Sequence, residues 1–471
     1  MSMRMAASAC QLLQLSVLPR GARTVRDDDI VLFMRVSYRQ RPIVARYHRG
    51  MTQGAPDIVI INARVLTLAG PTEPRRGAAL GELGVIENGC IWIADGMITS
   101  VEEWDGLEDD FDPARTTVID AHGRVLMPAF VDCHTHACFA GERYDEFEMR
   151  LRGAGYLDIL RAGGGIMATV RAVRGADEKT LTRNLLRQAE RMAGFGSATI
   201  EVKTGYGLST EAELKMLRAI QHADALSPLT LVPTFLGAHA IDPDQPDFIE
   251  RTIHETLPAI VDAAPGIPCD AYCEEGAWSL ADTCRLFDAA AALGCPLRVH
   301  ADQFNALGMT SAAIERHAVS VDHLEATTPI ELERLASSAT MGVALPASGF
   351  QLDDRYAPAR SFVDMGGALA IATNNNPGSA PNASMPFTIA LACRKLRLSP
   401  AEAITAATFN AACVMHMQDA VGSIETGRRA DVQVLGTRDE RELGHELAWP
   451  GPDLLIVNGE IVLRRHALHH G

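Results

Sequence analysis

From residue 57 onward, short apolar runs bounded by turn residues alternate with longer stretches whose apolar positions recur at helical spacing. Residues 58–68, 90–101 and 117–120 alternate polar and apolar side chains and predict antiparallel strands, and two similar stretches return at 430–435 and 454–463. Neither terminal set can cover an apolar face alone. The pattern therefore predicts a small composite β-sandwich built from residues 51–124 and 419–471. Between them lie eight strand-like runs, at 125–133, 198–203, 230–236, 268–273, 296–300, 318–322, 340–345 and 369–373. Helical stretches such as 178–194 and 210–222 separate most of them. Eight such units predict an α/β fold, a (β/α)8 TIM-like barrel over 125–418, with its chemistry at the C-terminal ends of the strands.

The first fifty residues break this pattern. They hold nine Arg, no Lys and three Asp, a local charge of +6 in a chain of net charge -16. Residues 1–50 are expected to be an N-terminal extension, disordered or absent from the native product, outside the folded unit. A chain this acidic repels phosphate and anionic lipid, so neither nucleic acid nor a membrane is expected as partner. Its apolar runs are shorter than a membrane span requires. The ten cysteines form no CxxC pair, and predict buried thiols in a reducing cytoplasm.

The strand exits carry the candidate chemistry. The first run leads into Asp132-Cys133-His134-Thr135-His136, where alternate residues share a face, so His134 and His136 can grip one cation. His239 follows the third run, His300 ends the fifth, and His323 follows the sixth. Any one of these alone reads as a packed core histidine. Five at four exits of one barrel predict a metal-centred hydrolytic site. The fourth exit, Cys273-Glu274-Glu275-Gly276, has no Lys to bridge a second ion, so one divalent metal is expected. The Gly163-Gly164-Gly165 run lacks the Lys and Ser/Thr of a phosphate loop and is read as a turn near the site mouth.

Longer segments sharpen this reading: FAGERYDEFEMRLRGAGY, RAGGGIMATVRAVR, EVKTGYGLSTEAELKMLR, TFLGAHA, VHADQ, DHLE and NPGSAP. Through them, residues 57–464 resemble the amidohydrolase superfamily and, within it, the imidazolonepropionase family. The resemblance implies a hydrolase of histidine degradation that opens the cyclic amide of 4-imidazolone-5-propanoate to N-formimidoyl-L-glutamate with one zinc or iron ion. It implies His134, His136 and His300 as metal ligands and His323 beside the reacting centre. Arg143, Tyr206 and His239 fall at substrate-binding positions. Gln303 falls where the family has Glu or Gln near the substrate, and Asn376, Gly378 and Ser379 match a loop that holds the product. Such enzymes often pair, which makes a homodimer the expected assembly. The chemistry agrees for Arg143, since a guanidinium offers a propanoate a planar bidentate partner.

Asn374 departs from the family, which ordinarily has a metal-binding Asp there. An amide brings no negative charge and accepts no proton near neutral pH. With Gln303 also an amide, the titratable groups left near the reaction are His323 and His239. The expected mechanism has a metal-activated water attack the ring carbonyl, His239 and the metal stabilise the oxyanion, and His323 handle the proton. The rivals are a hydrolase or deaminase acting on another cyclic amide or amidine, and a catalytically impaired relative.

Overall fold

The computed structural model describes residues 56–70, 72–106 and 115–465. The extension expected at 1–50 lies outside the described residues. The strands, in chain order, are β1 (Ile58–Leu66), β2 (Val85–Ala94), β3 (Met97–Glu103), β4 (Thr117–Asp120), β5 (Val125–Pro128), β6 (Phe130–Asp132), β7 (Ser197–Lys203), β8 (Thr230–Ala238), β9 (Cys269–Cys273), β10 (Leu297–Ala301), β11 (Ser320–His323), β12 (Met341–Ala344), β13 (Leu369–Ile371), β14 (Val432–Val434), β15 (Leu454–Val457) and β16 (Glu460–Arg464).

The two ends of the described chain share one sheet, in the order β16-β15-β14-β5-β1-β2-β3, with β4 also paired to β1. Its apolar core mixes Ile58, Ile60, Val65 and Ile91 from one end with Val432, Val434, Leu454 and Ile456 from the other, so neither half could close it alone. Two of the expected strands are hairpins instead. Residues 90–101 turn back at Asp95-Gly96 (φ 51° and 77°), and 454–463 at Asn458-Gly459 (φ 52° and 76°). Both dipeptides supply the two positive φ angles that a type I′ two-residue turn demands.

Strands β6 to β13 pair in parallel in chain order and carry the eight runs read from the sequence. The first run is divided. Val125–Pro128 pairs with β1 and β14 in the small sheet, Ala129 N donates to Asp431 O, and from Phe130 the chain enters the barrel. The gap between β6 and β13 is stitched by irregular bonds: Asn374 N to His134 O (3.1 Å), His136 N to Asn375 O (3.0 Å), and Thr373 N and Oγ1 to Asp132 (3.1 and 2.6 Å). The helices Glu178–Ala193 and Thr210–Leu226 are capped by Asp177 and Ser209, whose side chains accept the N–H groups of Thr180 and Ala212. Leu455 and Val457 of the small sheet pack into the cluster around the first of these helices. Among the described residues, no helix is long and apolar enough to cross a membrane.

Candidate active site

His134 and His136 follow β6 on a segment fixed from both sides. Thr135, between them, donates its N–H to Glu201 Oε2 (2.9 Å) and its hydroxyl to Glu201 O (2.6 Å). Across the barrel, His300 lies in β10 and His323 ends β11. The structure brings all of these histidines together: ring centroids of His134 and His300 are 4.4 Å apart, and those of His136 and His300 5.2 Å. Ligand atoms of His134, His300 and His323 lie within 4.8 Å of one another, and His136 Nε2 is 3.2 Å from His300 Nε2.

Tautomers follow from the outer partners. His134 Nδ1 lies 2.6 Å from Asp322 Oδ2 and His300 Nδ1 3.0 Å from Asp270 Oδ1. A carboxylate accepts only from a protonated nitrogen, so each ring turns a bare Nε2 inward. His134 Nε2 is buried with no partner. Burial first, then neighbouring positive charge, holds His134 and His136 well below the ordinary imidazole range, and burial lowers His300 despite Asp270. These rings are neutral, the form a metal requires. Two nitrogens bound to one tetrahedral ion at 2.0–2.1 Å stand about 3.3–3.4 Å apart, close to the His136–His300 spacing. The residues present fit a divalent ion.

Asn374 sits at the same rim with φ 54°. Its Nδ2 donates to Ser348 Oγ (2.7 Å), which leaves Oδ1 buried and without a partner. His323 and Leu324 both have positive φ (91° and 75°), costly for non-glycine residues and typical of functional turns. His323 Nδ1 faces Glu325 Oε1 at 3.3 Å.

A register shift between Phe235 and Ala238 re-aims the end of β8 and delivers His239, whose ring stacks on His136 at 4.8 Å and 23°. Its Nδ1 lies 3.2 Å from Gly205 O and must be the donor. Burial drives its pKa down to about 3, so Nε2 carries no proton at neutral pH. The expectation that His239 stabilises an oxyanion is thereby corrected: the ring presents an acceptor to the site, not a donor. Because the unfolded imidazole titrates at its ordinary 6.5, the unfolded chain takes up this proton first. The contribution to stability is complete above about pH 6.5 and is lost as pH falls toward 3. Replacing His239 by Asn is expected to flatten the loss of denaturant midpoint between pH 7.5 and 5; an unchanged slope would show that this ring does not carry it.

Tyr206 stands on the loop after β7, 5.2 Å from the His239 ring. Gly205 (φ 101°) lets that loop pass Leu236, whose carbonyl oxygen a Cβ would meet at 2.6 Å. The loop hangs from buried Glu213, which accepts the N–H groups of Gly205 (2.9 Å), Gly207 and Leu208 (both 2.8 Å). Gln303 Oε1 accepts the Tyr272 hydroxyl at 2.9 Å. Arg143 pairs through one edge with Glu146, which also accepts Gly165 N (2.9 Å), so the triple-glycine run is a turn anchored beside the arginine.

Gly378 presses on the other side of the guanidinium: a Cβ there would lie 3.1 Å from Arg143 NH1. Changing Gly378 to Ala is expected to shift that side chain and raise KM about tenfold with little change in kcat, measured by steady-state kinetics; an unaltered KM would separate the loop from the arginine. Asn376 Oδ1 accepts the N–H groups of Gly378 (2.9 Å) and Ser379 (2.7 Å), and its Nδ2 donates to Asn374 O (2.7 Å). Its amide is committed to shaping the loop.

Sequence reading missed the residues behind this site: Glu201, Lys203, Asp270, Arg298 and Asp322, with Glu146, Glu213, Tyr272, Glu325 and Ser348. A signal existed for the first five. Each is a charge inside an otherwise apolar, buried strand, where an ion must find a partner.

A nearly closed parallel barrel with histidines converging at its strand ends defines the class: the chain belongs to the amidohydrolase family, whose model matches residues 125–462. The family and the histidine cluster together point to a divalent metal. Among solved structures, a 5-methylcytosine deaminase from Klebsiella pneumoniae superposes with a TM-score of 0.65 at 17% identity, covering 88% of this chain and 99% of that one; at that identity the likeness speaks for the fold. Within the family, the chain belongs with the imidazolonepropionases. It is 41% identical over 416 residues to that of Herpetosiphon aurantiacus, spanning 85% of this chain and 96% of the relative. With that of Chloroflexus aggregans it shares 42% over 422 residues, spanning 86% and 98%.

Proposed function

We propose that this chain is an imidazolonepropionase, hydrolysing the C–N bond in the cyclic amide of 4-imidazolone-5-propanoate to give N-formimidoyl-L-glutamate, in histidine catabolism in the cytoplasm. The observation that carries the reading is the meeting of His134, His136 and His300, two of them with carboxylate-fixed tautomers, at a barrel mouth that also holds Arg143 and Tyr206. These three histidines, with Asn374 Oδ1 beside them, would hold one zinc or iron ion; both suit imidazole ligands. A divalent ion there supplies Lewis acidity and a water that ionises near neutral pH.

The chain's own groups then have distinct tasks. Arg143 turns its NH1/NH2 edge to the propanoate, the Nε side being taken by Glu146. Burial pushes the Tyr206 phenol up, so it stays protonated and donates a hydrogen bond. His239 Nε2 accepts a ring N–H of the substrate, and Gln303, its amide held by Tyr272, lies against the ring. Water adds to the ring carbonyl carbon, the carbon–nitrogen bond breaks, and one proton passes from the water to the departing nitrogen. His323, with Glu325 behind it, carries that proton.

The test is turnover of 4-imidazolone-5-propanoate beside hydantoins and purines, with metal analysis of the same sample. Product from the imidazolone alone, at one divalent ion per chain, is the expected result. A fully metal-loaded sample that forms no product would overturn the assignment.

A further inference from the structure

Five charged side chains lie in one layer under the histidines, outside the steps above: Glu201 and Lys203 of β7, Asp270 of β9, Arg298 of β10 and Asp322 of β11, none more than 2% exposed. Lys203 Nζ donates to Glu201 Oε1 (2.6 Å) and Asp270 Oδ2 (2.7 Å). Arg298 donates to Asp322 Oδ2 (2.7 Å) and Glu201 Oε1 (3.3 Å), and Ser320 Oγ to Asp322 Oδ1 (2.6 Å). The layer thus has two arms, Lys203–Asp270–His300 and Arg298–Asp322–His134, joined at Glu201. Removing five ions from water is costly, and hydrocarbon of similar volume usually stabilises a fold as well or better, so stability alone does not account for it.

Its charge balance suggests another use. Three carboxylates against two cations leave one net negative charge, one imidazole away from the place where the histidine nitrogens meet. At the rim, the ligand set assigned to the ion, His134, His136, His300 and the Asn374 amide, brings no carboxylate, and the Asn374 Oδ1 is buried and unpartnered. We propose that the layer supplies, through Asp322–His134 and Asp270–His300, the negative charge that this neutral ligand set lacks, with Asp270 and Asp322 as positioning residues for the ion. A carboxylate behind an imidazole fixes its tautomer and strengthens its donor nitrogen. The inference rests on the metal-site reading above but not on which substrate is hydrolysed.

The experiment measures the Zn2+ dissociation constant by chelator competition, without substrate, on the full chain stripped of metal. Asp270→Asn and Asp322→Asn preserve shape and remove charge; each is expected to weaken Zn2+ binding about 10- to 100-fold. Asn374→Asp places a carboxylate at the rim, and is expected to tighten binding and to return Asp322→Asn to within about threefold of the parent. Unchanged dissociation constants in both aspartate variants overturn the proposal. So does a loss that persists undiminished in the Asn374→Asp background, since orientation alone would then explain it. Melting of the metal-free forms reports folding. Should the aspartate variants not fold, Glu201→Gln, which removes one carboxylate charge from the layer at a residue bonded to neither His134 nor His300, decides: severalfold weaker Zn2+ binding supports the proposal and an unchanged constant sinks it. Absence of product from the zinc-loaded parent would reject the substrate reading and leave this one standing.

Discussion

Replacement of His300 by asparagine is expected to cut turnover of 4-imidazolone-5-propanoate by about a thousandfold or more and to bring bound metal well below one ion per chain. The size follows from the chemistry lost: Lewis-acid stabilisation of developing charge contributes several kcal/mol, and each 1.36 kcal/mol is a factor of ten in rate. His300 is the sharpest place to test this because its Nε2 lies 3.2 Å from that of His136 while its Nδ1 faces Asp270. The fold should survive, since Asp270 keeps Lys203 Nζ (2.7 Å) and its bond from Ala271 N (2.7 Å). Metal content, steady-state rates and a urea midpoint on the same preparation check it. A variant with full metal and a tenth of the parent rate would remove His300 from the metal set.

Changing Arg143 to methionine is expected to lower kcat/KM about a hundredfold, nearly all of it in KM. Hydrogen bonds to charged groups contribute about 1.5–3 kcal/mol, and a group that binds ground and transition states alike shows itself in KM. Glu146 is left with Gly165 N at 2.9 Å and Arg150 at 3.8 Å, enough to keep it from standing as a bare buried ion. The diagnostic comparison is a substrate analogue without the carboxylate. Parent and variant should turn it over at equal, low rates. An equal hundredfold loss on the analogue would mean that Arg143 holds its loop and does not touch the propanoate.

Much of the fold was legible because the barrel strands are buried on both faces. Such strands read as largely apolar runs, interrupted here by the few buried charges, and the eight runs between residues 125 and 373 correspond to the eight barrel strands. The same burial hid the division at Ala129. A run without alternation gives no sign of which sheet it joins, and Val125–Pro128 went to the small one. The Asp95-Gly96 and Asn458-Gly459 hairpins were legible in principle, since those dipeptides mark two-residue turns. The histidines were visible because strand exits place them. Tyr206 and Arg143 were singled out by segments resembling a family, as nothing in their spacing distinguishes them from ordinary turn or surface residues, whereas His239 stood out at a strand exit and only its substrate-binding role came from the resemblance.

By itself the sequence determined the apolar pattern, hence the layers, and the residue types at each strand exit, hence the kind of chemistry available. Only the tertiary structure decided which nitrogen His134 and His300 turn inward, because that depends on Asp322, far off in the chain and across the barrel from His134, and on Asp270, on the strand beside that of His300. It likewise made His239 an acceptor, through the Gly205 carbonyl, and gave a neutral asparagine a place in the rim above a layer of buried ions. Strand patterns are local, set by neighbours along the chain. Protonation and charge are set by neighbours in space, and those exist only once the barrel has closed.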